Sequence, residues 1–474
     1  MRAFLILLAM GFMAGCTQPA SHPEIRFSIA QSPLNLDPRY ATDAASERVN
    51  RLIYQPLVDF DPSSRPVPAL ASWVQRDALH YRFTLAGQGR TFHDGSHLGA
   101  EDVVATYRSL QALKDAPHAA EFANIARIDA TDGEHVDFML HHADAQFPAR
   151  LIIGILPARL IAQQHDFAHH PVGSGPLAMK SWHRTLTLQR VADRQSIVLE
   201  EVRDPTVRVL KLLRGEADLL QGDLPPELVA YLARQPEVQV QASPGTNFSY
   251  LGFNLQDPVL KNPLVRQAIA LSIDRQALIK HALVDGSRSA TAILPPEHWA
   301  GNPDLPEIDY RPEQAKRLLE QAGIRLPLKL VLKTSTDAQR VRLATIMQAQ
   351  MQPAGIALEI HSLDWGTFFD DVKHGKFQLY GLTWVGIRTP EIYRLAFHSD
   401  AVPPAGANRG RLQDAGLDAL IDQQDWKAVT TRIQVLMPYA PLWYEGQFAA
   451  LRRGVSGYQP APDGNWDALE TISK

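Results

Sequence analysis

Between Leu328 and Ile360 the chain alternates, turns helical and alternates again, a pattern that leaves little freedom in fold. Leu328, Leu330 and Leu332 fall on one face of a strand, and Ile356, Leu358 and Ile360 repeat that period of two. Val341, Ala344, Met347 and Met351 mark one face of a helix between them. Strand, helix, strand is a βαβ unit, so the two strands are predicted to run parallel with a right-handed crossover. A further helix carries Trp365, Phe368, Phe369 and Val372, and a third strand is predicted at about Phe377 to Trp384. The second half therefore reads as an open α/β domain. Ligands of such sheets bind beyond the carboxyl ends of the strands. Here those ends are Ser362-Leu363-Asp364-Trp365 and Val385 to Glu391.

The elements leading into this unit are punctuated by local signals. Asn262 before Pro263 reads as a helix start, and Asp274 as the cap of the next helix, with Leu278, Ile279, Ala282 and Leu283 inward and Gly286 at its end. Pro312 opens another helix, closed by Gly323. The first part of the chain is mainly β. Arg26 to Ala30 is a short strand candidate, and Tyr81, Phe83 and Leu85 alternate with Arg82 and Thr84 until Gly87-Gln88-Gly89. The turn Phe92-His93-Asp94-Gly95 precedes a helix from about Ala100 to Leu113, whose Val103, Tyr107 and Leu110 share a face.

The amino terminus sets the compartment. Met1-Arg2, an apolar run from Ala3 to Met13 and the small residues Ala14-Gly15 form a secretory signal peptide, residues 1–15. The run is shorter than the roughly 20 residues that cross a bilayer. Met13-Ala14-Gly15-Cys16 resembles a lipobox, so Cys16, the chain's single cysteine, is the expected lipidation site, with residues 16–23 as a tether. At 474 residues and 45% hydrophobic the chain is long enough for two or three cores. Its net charge of -4 gives no reason to expect a nucleic-acid partner. No zinc-ligand spacing, P-loop or dinucleotide fingerprint occurs, and Gly173-Ser174-Gly175 is not a nucleophile elbow. No catalytic residue, metal site or cofactor is expected.

An ordered set of short motifs carries a resemblance. Phe92-His93-Asp94-Gly95-Ser96 and Ala100-Glu101-Asp102-Val103-Val104 are preceded by Leu36-Asp37-Pro38, Ile53-Tyr54-Gln55-Pro56-Leu57-Val58 and Pro68-Ala69-Leu70-Ala71-Ser72-Trp73. They are followed by Pro171-Val172-Gly173-Ser174-Gly175-Pro176, Gly215-Glu216-Ala217-Asp218, Phe253-Asn254, Val265-Arg266-Gln267-Ala268-Ile269, Ile273-Asp274-Arg275 and Ala315 to Gly323. Spanning about Glu24 to Tyr458, the set resembles the family 5 solute-binding proteins, the receptors of ABC importers for peptides, nickel chelates and related solutes.

That resemblance implies an α/β fold of two lobes, like other periplasmic binding proteins, with an extra β-rich subdomain and a hinge between the lobes. It implies lobe one at residues 24–54, 171–256 and 439–474, an inserted subdomain at 55–170 and lobe two at 257–438. Its implied partners are a peptide or peptide-like solute and a permease–ATPase complex, for a monomer held by its lipid in the periplasm or cell envelope. A sensory binding protein, or a receptor for an anionic solute or metal chelate, is the alternative.

In peptide-binding members the strand ending at the second of these turns pairs with the peptide backbone, and an aspartate three residues after a tryptophan holds the amino end. Aligning Trp384 with that tryptophan puts Thr383, Val385 and Ile387 along the pairing edge. Ile387 stands where the aspartate is expected, with Arg388 beside it. Arg388 is then either a bidentate grip for a ligand anion or a solvated loop residue. Tyr54, Trp365 and Trp384 either stack on ligand or pack the core. Asn254 is placed near a lobe crossover, and Asp364 and Glu391 are candidate replacements for the missing cation anchor.

Overall fold

The computed structural model describes residues 23–87, 89–113 and 119–474. The expected signal peptide, the lipidation site Cys16 and all of the tether except Pro23 lie outside the described residues, as does Gln88.

Alternation in the sequence becomes strand where it is expected. Leu328–Ser335 and Ile356–Leu363 pair in parallel, Leu328 opposite Ile356, and the helix Ala338–Met351 between them buries Leu343, Ala344, Met347 and Met351. Leu379–Trp384 is the third strand, parallel to Leu328–Ser335 through Leu332 and Lys333. Asn262 and Asp274 cap their helices by accepting from Leu264 N and Ala277 N. The helix begun by Asp274 stops at Ala282, however, so Gly286 does not end it.

Eleven strands, among the described residues, form one sheet that runs through both lobes. From the second-lobe edge the order is Ile356–Leu363, Leu328–Ser335, Leu379–Trp384, Val238–Phe253 and Tyr439–Arg452, then Leu219–Gln221, Ile25–Ile29, Ser196–Glu201, Thr185–Arg190 and Leu177–Trp182. The short Arg288–Ser289 attaches to Tyr439–Arg452. Val238–Phe253 and Tyr439–Arg452 are the two strands that cross between lobes. Their antiparallel register shifts between Ser243 and Asn247. There a Cβ on Gly245 would lie 1.5 Å from the Glu445 carbonyl oxygen. Gly286, at φ +86°, would set a Cβ 2.3 Å from the Ser243 carbonyl oxygen. Backbones meet here without room for side chains, which is the role of Gly286.

The β-rich subdomain has its own antiparallel sheet, ordered Ala71–Asp77, His80–Leu85, His135–Leu140, Ile125–Ala130. The helix Ala100–Ala112 covers it, and Phe83, Val103, Tyr107 and Phe138 share its core. In the first lobe, Phe27 and Val49 from the start of the chain pack with Trp466 and Ile472 from its end.

Candidate functional site

Between the lobes lies a cleft of about 1530 Å³. Its first-lobe wall is the helix Ala44–Ile53, begun by Asp43, whose carboxylate accepts from Ser46 N. Val49, Leu52 and Ile53 of that helix face the core, leaving Glu47, Arg48 and Arg51 to line the cleft. Asp59 and Phe60 continue the wall, and residues 463–470 close it from the chain's tail. The opposing wall is the segment that follows Leu379–Trp384, from Val385 into the helix Glu391–Phe397.

The second-lobe segment is held from behind. Gly386 N donates to Asn247 Oδ1 at 3.2 Å, and its φ of +70° turns the chain into the cleft. Ala300 N donates to His298 Nδ1 at 3.0 Å, which leaves the proton on Nε2 to donate to the Arg388 carbonyl at 2.9 Å. Burial lowers the His298 pKa below its ordinary value, against the opposing pull of that carbonyl and of Glu297. The bond from Ala300 N, which needs a free lone pair on Nδ1, is made only by the neutral ring. Trp299 N donates to the Ser63 carbonyl at 3.0 Å, tying the same region to the subdomain.

The cleft floor carries alternating charge. Arg388 is bonded to Asp463, stands 3.6 Å from the Asp59 carboxylate and lies 5.4 Å above the Phe60 ring. Arg51 pairs with Asp59 at 3.2 Å and with Asp467 at 3.0 Å. Burial alone would lower the Arg51 pKa, but Asp467 and Asp59 more than reverse this and hold it above its ordinary value. Two carboxyls at the margin behave differently. Burial raises the pKa of Glu391 against the nearby charges of Arg150 and Arg394, and burial with the charge of Asp467 raises that of Glu470. Neither makes an ion pair within 4.0 Å among the described residues.

The residues singled out in the sequence are thus divided. Tyr54, Val385, Ile387, Arg388 and Glu391 line the cleft, with Val385 56% exposed. Tyr54 does so from the core: its ring is buried and its hydroxyl donates to the Leu36 carbonyl at 3.0 Å. The Arg388 guanidinium, offered above to a ligand anion or to solvent, is already held by two carboxylates.

The remaining five lie away from the cleft lining. Asn254 ends the strand well beyond the crossover, its amide donating to the Gly375 and Phe377 carbonyls. The Thr383 hydroxyl bonds Ser249 and Glu445, and its backbone pairs with Ser249 on one side, while on the other side pairing with Leu328–Ser335 stops at Tyr380. Trp384 packs under Arg409, 4.6 Å from its ring, and beside Tyr250. Asp364 caps the helix Trp365–His374 through Thr367 N, and Trp365 is 58% exposed, stacked on Phe369.

Asp59, Phe60, Arg51, Asp463 and Asp467 escaped the sequence reading. Each is a single residue without a motif, and Arg51 and Asp467 are 416 positions apart. Among the described residues no group of three or more His, Cys, Asp or Glu is placed to hold a metal ion.

Comparison with known proteins agrees with this architecture. Residues 65–402 match the model of the bacterial extracellular solute-binding proteins, family 5. The chain is 28% identical to the di/tripeptide-binding protein 2 of Pseudomonas aeruginosa, covering 96% of each chain. It superposes on the ABC transporter substrate-binding protein CtaP of Listeria monocytogenes with a TM-score of 0.85 at 21% identity, over 95% of this chain and 99% of that one. A dipeptide-binding protein of Pseudoalteromonas sp. SM9913, solved in complex with Met-Leu, gives 0.77 at 21% identity, over 95% and 100%. With its two lobes, spanning sheet and interlobe cleft, the chain belongs to the family 5 bacterial extracellular solute-binding proteins.

Proposed function

We propose that the protein is the receptor of an ABC importer that captures small peptides, of two or three residues, between its lobes and delivers them to a membrane permease. The cleft at the carboxyl end of Leu379–Trp384, lined from both lobes, is the observation that carries this reading. Hinge bending at Gly245 would open and close it, and the closed form would be the one that docks on the permease. The reading divides the two crossing strands where their register shifts, so that lobe one takes residues 24–54, 171 to about 245 and about 445 to 474, with the subdomain and lobe two between. It places the protein in the periplasm or cell envelope as a monomer, tethered through a lipid on Cys16.

Charge in the cleft refines the ligand's pose. With Arg388 engaged, the amino end of a peptide goes to Glu391, which lines the cleft with no cation bonded to it; Asp364 does not line it. An ammonium there meets a carboxylate that has no other cation bonded to it. Named relatives that bind di- and tripeptides support the size class.

The test is mass spectrometry of small molecules released on denaturing the protein purified without residues 1–16. Di- or tripeptides are expected. Their absence, together with no thermal shift from a pool of such peptides, overturns the reading.

A further inference from the structure

Asp463, Arg388, Asp59, Arg51 and Asp467 form a chain of alternating charge across the cleft, and it has one member from the second lobe. Asp463 and Asp467 come from the tail, Arg51 from the helix Ala44–Ile53 and Asp59 from the strand Val58–Phe60. Arg388 alone reaches them from the other side. Its side chain is 19% exposed and that of Asp463 21%, so solvent and salt screen the pair less than a surface pair.

The carboxylate end of the contact is fixed in advance. Asp463 accepts from Asn465 N at 3.0 Å and from Asn465 Nδ2 at 2.9 Å. The Arg388 backbone is held through its carbonyl by His298, and its guanidinium gains the Phe60 ring together with the carboxylates when the lobes meet. Little freedom remains to be lost at Asp463 on closure. Parting the lobes would remove both carboxylates and the ring from Arg388. It would also leave Asp463, Asp59 and Asp467 on the first-lobe side with Arg51 alone between them.

We infer that Arg388 is an interlobe latch, a positioning residue that holds the lobes together through carboxylates of the protein itself and so lengthens the residence of whatever the cleft contains. Only the residence time rests on the receptor reading; the latch is measurable without a peptide. A ligand is then not the sole source of closure energy, and closure weakens as salt rises.

Loss of residues 1–16 removes the one native cysteine, so Arg203→Cys and Glu359→Cys, both at exposed positions, allow a dye on each lobe. Single-molecule energy transfer then reads the closed-to-open ratio at low salt and at about 0.5 M. Arg388→Ala is expected to lower that ratio about tenfold at low salt and to flatten its salt dependence. Arg388→Lys, which keeps the charge but not the fork, should recover part of it. Asp463→Asn keeps the arginine and should act in the same direction, non-additively with Arg388→Ala. For a tripeptide that binds, Arg388→Ala should raise koff about tenfold with kon little changed. A ratio within about twofold of the parent for both Arg388→Ala and Asp463→Asn overturns the latch. Open lobes in Arg388→Ala with no peptide bound by either protein would overturn the receptor reading and leave the latch standing.

Discussion

Ile356–Leu363 and Leu379–Trp384 run the same way in one sheet, yet only the second ends in the cleft. Ile356–Leu363 is the outermost strand, and the chain leaving it caps a helix with Asp364 and exposes Trp365. Leu379–Trp384 lies against Val238–Phe253, which crosses between lobes, so the chain leaving it emerges at the junction. The carboxyl-end rule selects a rim of the sheet. Which strand on that rim meets the other lobe depends on neighbour order, and neighbour order is a long-range property.

The contrast is broken most severely by Trp384→Ala. The indole is clamped beneath Arg409 and beside Tyr250, and its removal should cost about 3 kcal/mol in denaturant unfolding. It should also weaken peptide binding by unseating the segment from Val385 to Arg388. Retained affinity would mean that this segment holds its shape unaided.

Exchanging carboxylates at the two strand ends sharpens the contrast. Glu391→Gln should reduce affinity for peptides with a free amino end about tenfold and leave N-acetylated ones unaffected, read by calorimetry. Asp364→Ala should leave affinity unchanged and cost about 1 kcal/mol of stability through the lost cap. Equal losses of affinity in both variants would erase the distinction.

The smallest expected effect is on pH. His298 supports the cleft-facing segment and its own turn through Ala300 N, and burial holds its pKa below the ordinary value of about 6.5. The unfolded chain takes up the proton first, so this contribution is complete above about pH 6.5 and declines as pH falls through the lowered native value. Glu297 and Asp61 pull the ring's pKa up and Arg65 pushes it down. The denaturant midpoint should fall between about pH 7 and pH 5, and His298→Gln should lack that component of the fall.

Local chemistry explains what was legible in the sequence. Asn262 and Asp274 announce helices because a cap acts within three residues. The strands around Leu328 and Ile356 follow from alternation alone, whereas the tail's return to the first lobe was implied only by the family resemblance. Gly286 was misplaced because a glycine after a helix looks the same whether it ends the helix or makes room for another backbone. The carboxylates that hold Arg388 carry no periodicity, and the nearer, Asp463, lies 75 positions away. Asn254, within a motif, proved to fasten a strand end, since a side-chain amide serves backbone carbonyls as readily as a ligand.

The shared core of the chain's two ends has a consequence for the order of folding. Ile25–Ile29 is flanked by Ser196–Glu201 and Leu219–Gln221, and Phe27 meets Trp466 edge to face at 4.9 Å. A chain growing from its amino end can pair its first strand once residue 221 has emerged, but the core face of that strand stays uncovered by Trp466 and Ile472 until the last residues arrive. The subdomain, whose sheet closes within residues 71–140, can be complete long before. Folding should thus proceed from the middle outward, leaving the lobe that carries both termini to be finished last and longest exposed to misassembly.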